Sequence, residues 1–443
     1  MKWTDTDNEI LRLAMPCIVS NVTVPLLGLV DLAIVGHIGS ASYIAAIAVG
    51  TMVFSVVYWL MGFLRMGTSG MTAQAVGRAD WPAVRNALWR ALCVGFVVGM
   101  LLLLLQRPLL AVSLCLISPS EDVRPLVSTY YNIVVWGAPA MLGIYGLVGW
   151  SVGMQTTCIP MWVAIFQNVV NVAASLLFVF VLRWDIAGVA AGTLVAQWSG
   201  FVLALVLVLL RLEQVVPAAA ASGTGADQRT GSWWATFWHA ARGDADIFLR
   251  TLCLVAVNLS FTAFGARQGD VLLAVNTLLM TFFTLFSYVM DGFAFAGEAL
   301  GGKAYGAADG KRLRRVACRL MGWGWLLAAA FTMVYVAGGR PLLRLITSDS
   351  GVVAAAGDYQ WWTWLIPAAG MSAFVFDGLF IGLTATRGML AGAAVGCAAF
   401  FVLAVALLPV VGNHGLWIAY LCFLALRGFV QYAIWKRKII VKL

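Results

Sequence analysis

The chain has 443 residues, of which 62% are hydrophobic and only 11% charged, with a formal net charge of +9. A soluble globule cannot hide that much apolar surface, because its exterior has to be built from the same residues. Nor does the positive balance point to nucleic acid, since even its densest cluster, Lys311–Arg315, stands between apolar runs as an inner-face topology signal does.

A membrane-crossing helix needs about 20 apolar residues. Twelve runs meet that measure, centred near residues 22, 58, 97, 138, 169, 199, 254, 285, 325, 367, 399 and 424. The ten-residue alternation of a closed barrel is absent. The pattern predicts an all-α integral membrane protein with twelve transmembrane helices.

The first run follows Asp5, Asp7 and Glu9, with no small-residue cleavage site after it, so a retained helix is expected rather than a leader. Within it stands Asp31. A carboxylate at mid-membrane depth costs about 2.5–3.5 kcal/mol on insertion scales, so it is rarely there without a task. Pro16 and Pro25 precede it and leave the carbonyls of Arg12 and Asn21 without amide donors, which lets the helix bend. An ionisable group on a helix that bends is what ion-driven transport requires.

Arg65 is the most deeply placed cation, in the second run. Between the sixth and seventh runs lies Pro217–Gly231, rich in Ala, Gly and Ser, which predicts a flexible connector. The expected organisation is an N-lobe over 1–212, a cytoplasmic linker over 213–240 and a C-lobe over 241–443. The eighth run carries Asp291 and Glu298, seven apart and therefore on one helix face, and the tenth carries Asp377. Asp291, Glu298, Asp377 and Arg65 form a candidate set that lines a substrate cavity or relays protons. The competing assignment makes them buried ions that pair off and lock packing, and Arg65 fits that second description better.

The chain also repeats itself. Ala75, Gly77, Ala79, Asp80, Arg85, Arg90 and Gly95 match Ala304, Gly306, Ala308, Asp309, Arg314, Arg319 and Gly324 at one offset of 229 residues. Tyr130/Tyr359, Gly149/Gly378, Gly153/Gly382 and Thr157/Thr386 share it. Six helices per half is an even number, so the halves enter the bilayer from the same side. They are expected as two parallel six-helix lobes with pseudo-two-fold symmetry. With the N-terminus inside, twenty Lys and Arg fall in inner segments, Arg250 among them, against six in outer ones; Arg65 and Arg427 fall within helices. That asymmetry predicts both termini in the cytoplasm, and the expected setting is the cell's inner membrane.

The eight cysteines form no Cys-x-x-Cys pair. His37, His239 and His414 have no ligand partner at helical spacing, so no metal site is expected. No Gly-x-x-x-x-Gly-Lys-[Ser/Thr] loop or nucleophile–base motif occurs, so neither ATP-driven transport nor an enzyme is indicated.

Five segments in order resemble the multidrug and toxic compound extrusion (MATE) family, in its DinF-like branch. They are Pro25–Gly39 around Asp31, Gly62–Gly77 around Arg65, Asp246–Leu254, Met290–Ala299 and Phe376–Thr386. The resemblance spans essentially the whole chain. It implies a two-lobed exporter that exchanges an organic, cationic or amphipathic substrate for inward H+ or Na+ by alternating access, with no cofactor beyond the coupling ion. It assigns the main cation site to Asp31, with Asn171, Ser175 and Thr193 as partners. Many relatives carry a second Asp where this chain has Ser175. A lone desolvated carboxylate holds a proton more readily than a solvated one, and a hydroxyl is a poor substitute for a second charge, so H+ is favoured over Na+. The expected partners are small organic substrates and the lipid bilayer, with no nucleic acid, and the protein is expected to work as a monomer. The alternative within transport is a flippase of lipid-linked sugars with the same architecture.

Overall fold

The computed structural model describes residues 3–36, 41–215, 233–347 and 349–439. His37 and the expected connector Pro217–Gly231 fall outside them, as do the side chains of Pro25, Asp31 and His239. Helices dominate: α1 (Asp5–Gly36), α2 (Ala41–Leu60), α3 (Phe63–Gly77), α4 (Trp81–Leu104), α5 (Gln106–Ile117), α6 (Val123–Val134), α7 (Ala138–Gly153), α8 (Cys158–Leu176), α9 (Asp185–Val215), α10 (Trp233–Ala266), α11 (Asp270–Gly306), α12 (Gly310–Ile346), α13 (Ser350–Ala356), α14 (Trp361–Gly382), α15 (Thr386–Val411) and α16 (Asn413–Ile434). Eleven segments among the described residues are long and apolar enough to cross a membrane, beginning with Ser42–Gly77, and α1 precedes them. This is an all-α integral membrane protein.

The chain divides into two compact units. The first is Pro16–Trp233; the second is Trp234–Leu443 together with Met1–Met15. Five of the eleven spans lie in the first unit, which also holds most of α1, and six lie in the second.

The repeat seen in the residues is written into the backbone. After α3, the amide of Asp80 donates to the Ala75 carbonyl and that of Ala79 to Val76, and Ala79 is left-handed at φ 54°. After α11, Asp309 and Ala308 bond back to Ala304 and Tyr305, with Ala308 at φ 56°. Both are Schellman closures, which satisfy the last carbonyls of a helix. In each, the Asp then caps the next helix: Asp80 accepts from the Ala83 amide at 3.0 Å and Asp309 from the Arg312 amide at 2.8 Å. Gln155 and Thr384 repeat the closure after α7 and α14, again left-handed.

Glycines set the tightest approaches in both units. A Cβ on Gly149 would collide with the Arg65 carbonyl oxygen, and one on Gly378 with that of Ala294. One turn on, a Cβ on Gly153 would sit 2.7 Å from the Ser69 carbonyl oxygen, and one on Gly382 2.5 Å from that of Glu298. Backbone lies on both sides of these contacts, so a side chain can enter only by driving α14 off α11. Gly378→Ala should therefore destabilise the protein by about 1–3 kcal/mol, the usual range for overpacking. Thermal unfolding in detergent measures it, and an unchanged midpoint would contradict this packing.

The segment ahead of the first apolar run is anchored within the second unit. Asp7 accepts from the Thr4 amide at 2.8 Å and the Thr4 hydroxyl at 2.7 Å, which closes the first turn of α1 with one half of a capping box. The same carboxylate takes the Trp323 indole N–H at 3.0 Å and pairs with Arg319 at 3.4 Å. Glu9 pairs with Arg312 at 3.0 Å, and Trp3 packs edge-on against Trp323 at 5.9 Å. Burial alone raises the Asp7 carboxyl, but the bonds from Thr4 and Trp323 and the Arg319 charge outweigh it and hold it below its ordinary 3.8. A carboxyl lowered by folding stabilises the fold above its unfolded value, and that contribution is lost as pH falls through the folded value. Asp7→Ala should remove about 1.5–3 kcal/mol at neutral pH and progressively less below pH 4. Melting curves of both proteins across that range test it, and a pH-independent difference would contradict it.

Candidate functional site

Three of the residues assigned to ion coupling meet inside the first unit. Asn171 and Ser175 lie on α8 one turn apart and so share a face; Thr193 comes from α9. Asn171 and Ser175 are fully buried, and Thr193 is nearly so. The Asn171 amide donates to the Thr193 hydroxyl at 3.2 Å, and that hydroxyl donates to the Val189 carbonyl at 3.2 Å. Two oxygens are left over, because Asn171 Oδ1 and Ser175 Oγ have no hydrogen-bond partner among the described residues. A buried polar atom left unpaired costs about 1–3 kcal/mol, so a pair of them on one face marks a place built to receive something.

Gly192 makes the approach possible. A Cβ there would collide with the Ser175 hydroxyl, so only glycine lets α9 lie this close to α8. Just past Ser175 the chain widens into a π-helical turn, Leu177–Val181. Such turns interrupt helices at the expense of regular bonding and recur at functional sites. The Asn168 amide donates to the Thr23 carbonyl at 2.9 Å, which ties α8 to α1, the helix that carries Asp31.

The acids expected in the cavity-facing set have a different setting. Asp377, on α14, is 4% exposed. It accepts from the Arg250 guanidinium of α10, from Arg427 of α16 at 2.6 Å and from the Gln431 amide at 2.5 Å. Arg427 lies 5.8 Å from the ring centres of both Phe374 and Phe423. Asp291 is half-buried on α11, close enough for its charge to act on Arg250, while Glu298 is buried two turns on. Arg65 is half-buried on α3 in the first unit, and its charge reaches Tyr145.

Arg250 is the partner that pattern reasoning misses. The charge asymmetry puts it in an inner segment, yet it is 7% exposed and lies inside the Arg242–Ala266 span. Arg427 and Gln431 are one turn apart on α16 and reach Asp377 together. A usable signal existed, since an arginine inside an apolar run needs a counter-charge and Asp377 was already a candidate for a buried ion pair.

Comparison with known proteins agrees with this architecture. The MatE family profile matches twice, over residues 16–177 and 247–410, once in each half. The chain is 36% identical to the DNA damage-inducible protein F of Escherichia coli (strain K12), covering 98% of this chain and 93% of that one. It is 27% identical to a probable multidrug resistance protein NorM of Bradyrhizobium diazoefficiens, over 93% of this chain and 89% of that one. Among solved structures, an outward-facing multidrug resistance MATE family transporter of the MOP superfamily superposes with a TM-score of 0.85 at 17% identity, covering 99% and 97% of the two chains. The Vibrio cholerae MATE transporter VcmN in its bent form gives 0.84 at 17% identity, over 98% and 96%. With the family profile filling both halves and a relative this similar along nearly its whole length, the chain belongs to the MatE family.

Proposed function

We propose that this protein is a secondary active exporter that exchanges small organic cargo, cationic or amphipathic, for an inward-moving cation by alternating access. It is a carrier, not an enzyme, in keeping with its family. The coupling ion is H+ in preference to Na+, and the site is Asp31 with Asn171, Ser175 and Thr193. The observation that carries this is the pair of buried, unpartnered oxygens, Asn171 Oδ1 and Ser175 Oγ. Helix geometry supports their grouping with Asp31. α1 and α8 are the first and fifth crossings and so run in the same direction, and they touch at Thr23 and Asn168. Eight residues beyond Thr23 is about 12 Å along the helix, which brings position 31 level with the turn that holds Ser175.

One carboxylate and neutral oxygens suit a proton better than sodium, which gathers several oxygen ligands around a full negative charge. The membrane potential supplies about 2.3 kcal/mol per charge per 100 mV, adequate for uphill export of cargo. The setting is the inner membrane with both termini cytoplasmic, and the protein acts as a monomer in lipid with no further partner. Dye efflux from proteoliposomes tests the reading, with a pH gradient and a sodium gradient imposed separately. Efflux driven by the pH gradient supports it. Efflux driven by sodium with pH equal on both sides would replace the proton, and no gradient-dependent movement of any dye would overturn export itself.

A further inference from the structure

Resting on that exchange reading, we infer that Arg250 and Arg427 close Asp377 to the coupling ion, so that ion exchange falls on the oxygen set of the first unit alone. Asp377 is the kind of buried carboxylate that would otherwise serve as a second ion site. Its two oxygens already receive three donors, from Arg250, Arg427 and Gln431. A cation arriving there has to displace an N–H and then sit beside two guanidinium charges. Neither arginine is placed to swing aside. Arg427 is held over the rings of Phe374 and Phe423, and Arg250 also answers to the charge of Asp291. Two phenols face the cluster as well, Tyr420 within electrostatic range of Arg427 and Tyr288 within that of Asp291. Two cations against Asp377 and Asp291 make the cluster neutral as a set, with no charge left for an ion to answer.

The internal repeat shows that the two units have diverged at these positions. At the repeat offset, Arg250, Asp377 and Arg427 correspond to Asn21, Val148 and Trp198, none of them charged. In the other direction, Asn171, Ser175 and Thr193 correspond to Phe400, Ala404 and Cys422. Unpartnered oxygen acceptors stand in the first unit where the second is apolar. Self-neutralised ions stand in the second where the first is uncharged. One scaffold therefore carries an open site on one side of the repeat and a closed one on the other. The arginines determine the stoichiometry: one coupling carboxylate per cycle, not two.

The test replaces the cluster as a whole. A variant carrying Arg250→Met, Asp291→Asn, Asp377→Leu and Arg427→Met removes all four charges while keeping the volume filled, a change that buried ion clusters tolerate. In proteoliposomes its dye efflux should follow imposed pH and sodium gradients as the wild type does, within about twofold, which is under the 1.4 kcal/mol that a tenfold change represents. A folded quadruple variant whose efflux no longer responds to the gradients overturns the inference. A second measurement needs no change to the cluster. The infrared difference spectrum induced by the coupling ion should show carboxyl bands in the wild type and none in Asp31→Asn; bands that persist in Asp31→Asn overturn the inference. Wild-type protein that moves no dye under any gradient fails the exchange reading instead, before either variant is made.

Discussion

Asp31→Asn is expected to reduce gradient-driven dye efflux to the level of empty liposomes while leaving the protein folded. The carboxamide has nearly the same shape as the carboxylate but neither releases a proton at cellular pH nor carries a charge to hold sodium. The fold should tolerate it, because taking a charge out of the bilayer relieves about 2.5–3.5 kcal/mol of insertion cost. Neither the Asn171 amide nor the Ser175 hydroxyl ionises at cellular pH, so neither can substitute for it. Yield, melting point and efflux should be measured on one preparation. Full gradient-driven efflux from a folded Asp31→Asn protein would falsify the mechanism.

The second large effect falls on stability. Asp377→Asn should destabilise the protein by about 3–5 kcal/mol, the range seen when one partner of a buried ion pair is removed. The reason is not the loss of a favourable bond. Arg250 and Arg427 would remain, both nearly inaccessible to water, facing each other's charge with Asp291 as the nearby acid. A sharply lower melting point in detergent and poor recovery from membranes are the expected signs. A variant with the wild-type melting point would show that the arginines find other counter-charges, and the closed cluster would have to be abandoned.

These two acids show which parts of the molecule can be read without coordinates. The apolar runs give the spanning helices, since a bilayer imposes their length directly. The Ala-Asp pairs at 79–80 and 308–309 give the repeat, and the structure shows why they recur: each ends one helix and caps the next. What resisted reading was pairing over long separations. Arg250 and Asp377 lie 127 positions apart, and nothing in local spacing joins them. A charge-count rule also pulled Arg250 to the inner face, because it weighs a cation by its distance from helix ends and not by what it meets. Thr193 was legible only by resemblance, since the contact of α8 with α9 depends on a single missing Cβ at Gly192. The left-handed Ala79 and Ala308 went unforeseen as well, as glycine is the residue usually found in that conformation.

The boundary between Met15 and Pro16 has a consequence for how the protein can be cut. A fragment ending at Val215 carries at its own start the residues that bind Arg312, Arg319 and Trp323 of the remainder. Separately expressed pieces would thus possess a built-in docking tail, and severing the stretch after Val215 need not dissolve their partnership. Removing the first nine residues should weaken that complementation by taking away these bonds, while leaving every spanning segment intact. In this respect the chain resembles an exchanged-arm dimer folded into a single polypeptide, its two halves joined by an arm at the front as well as by the connector in the middle.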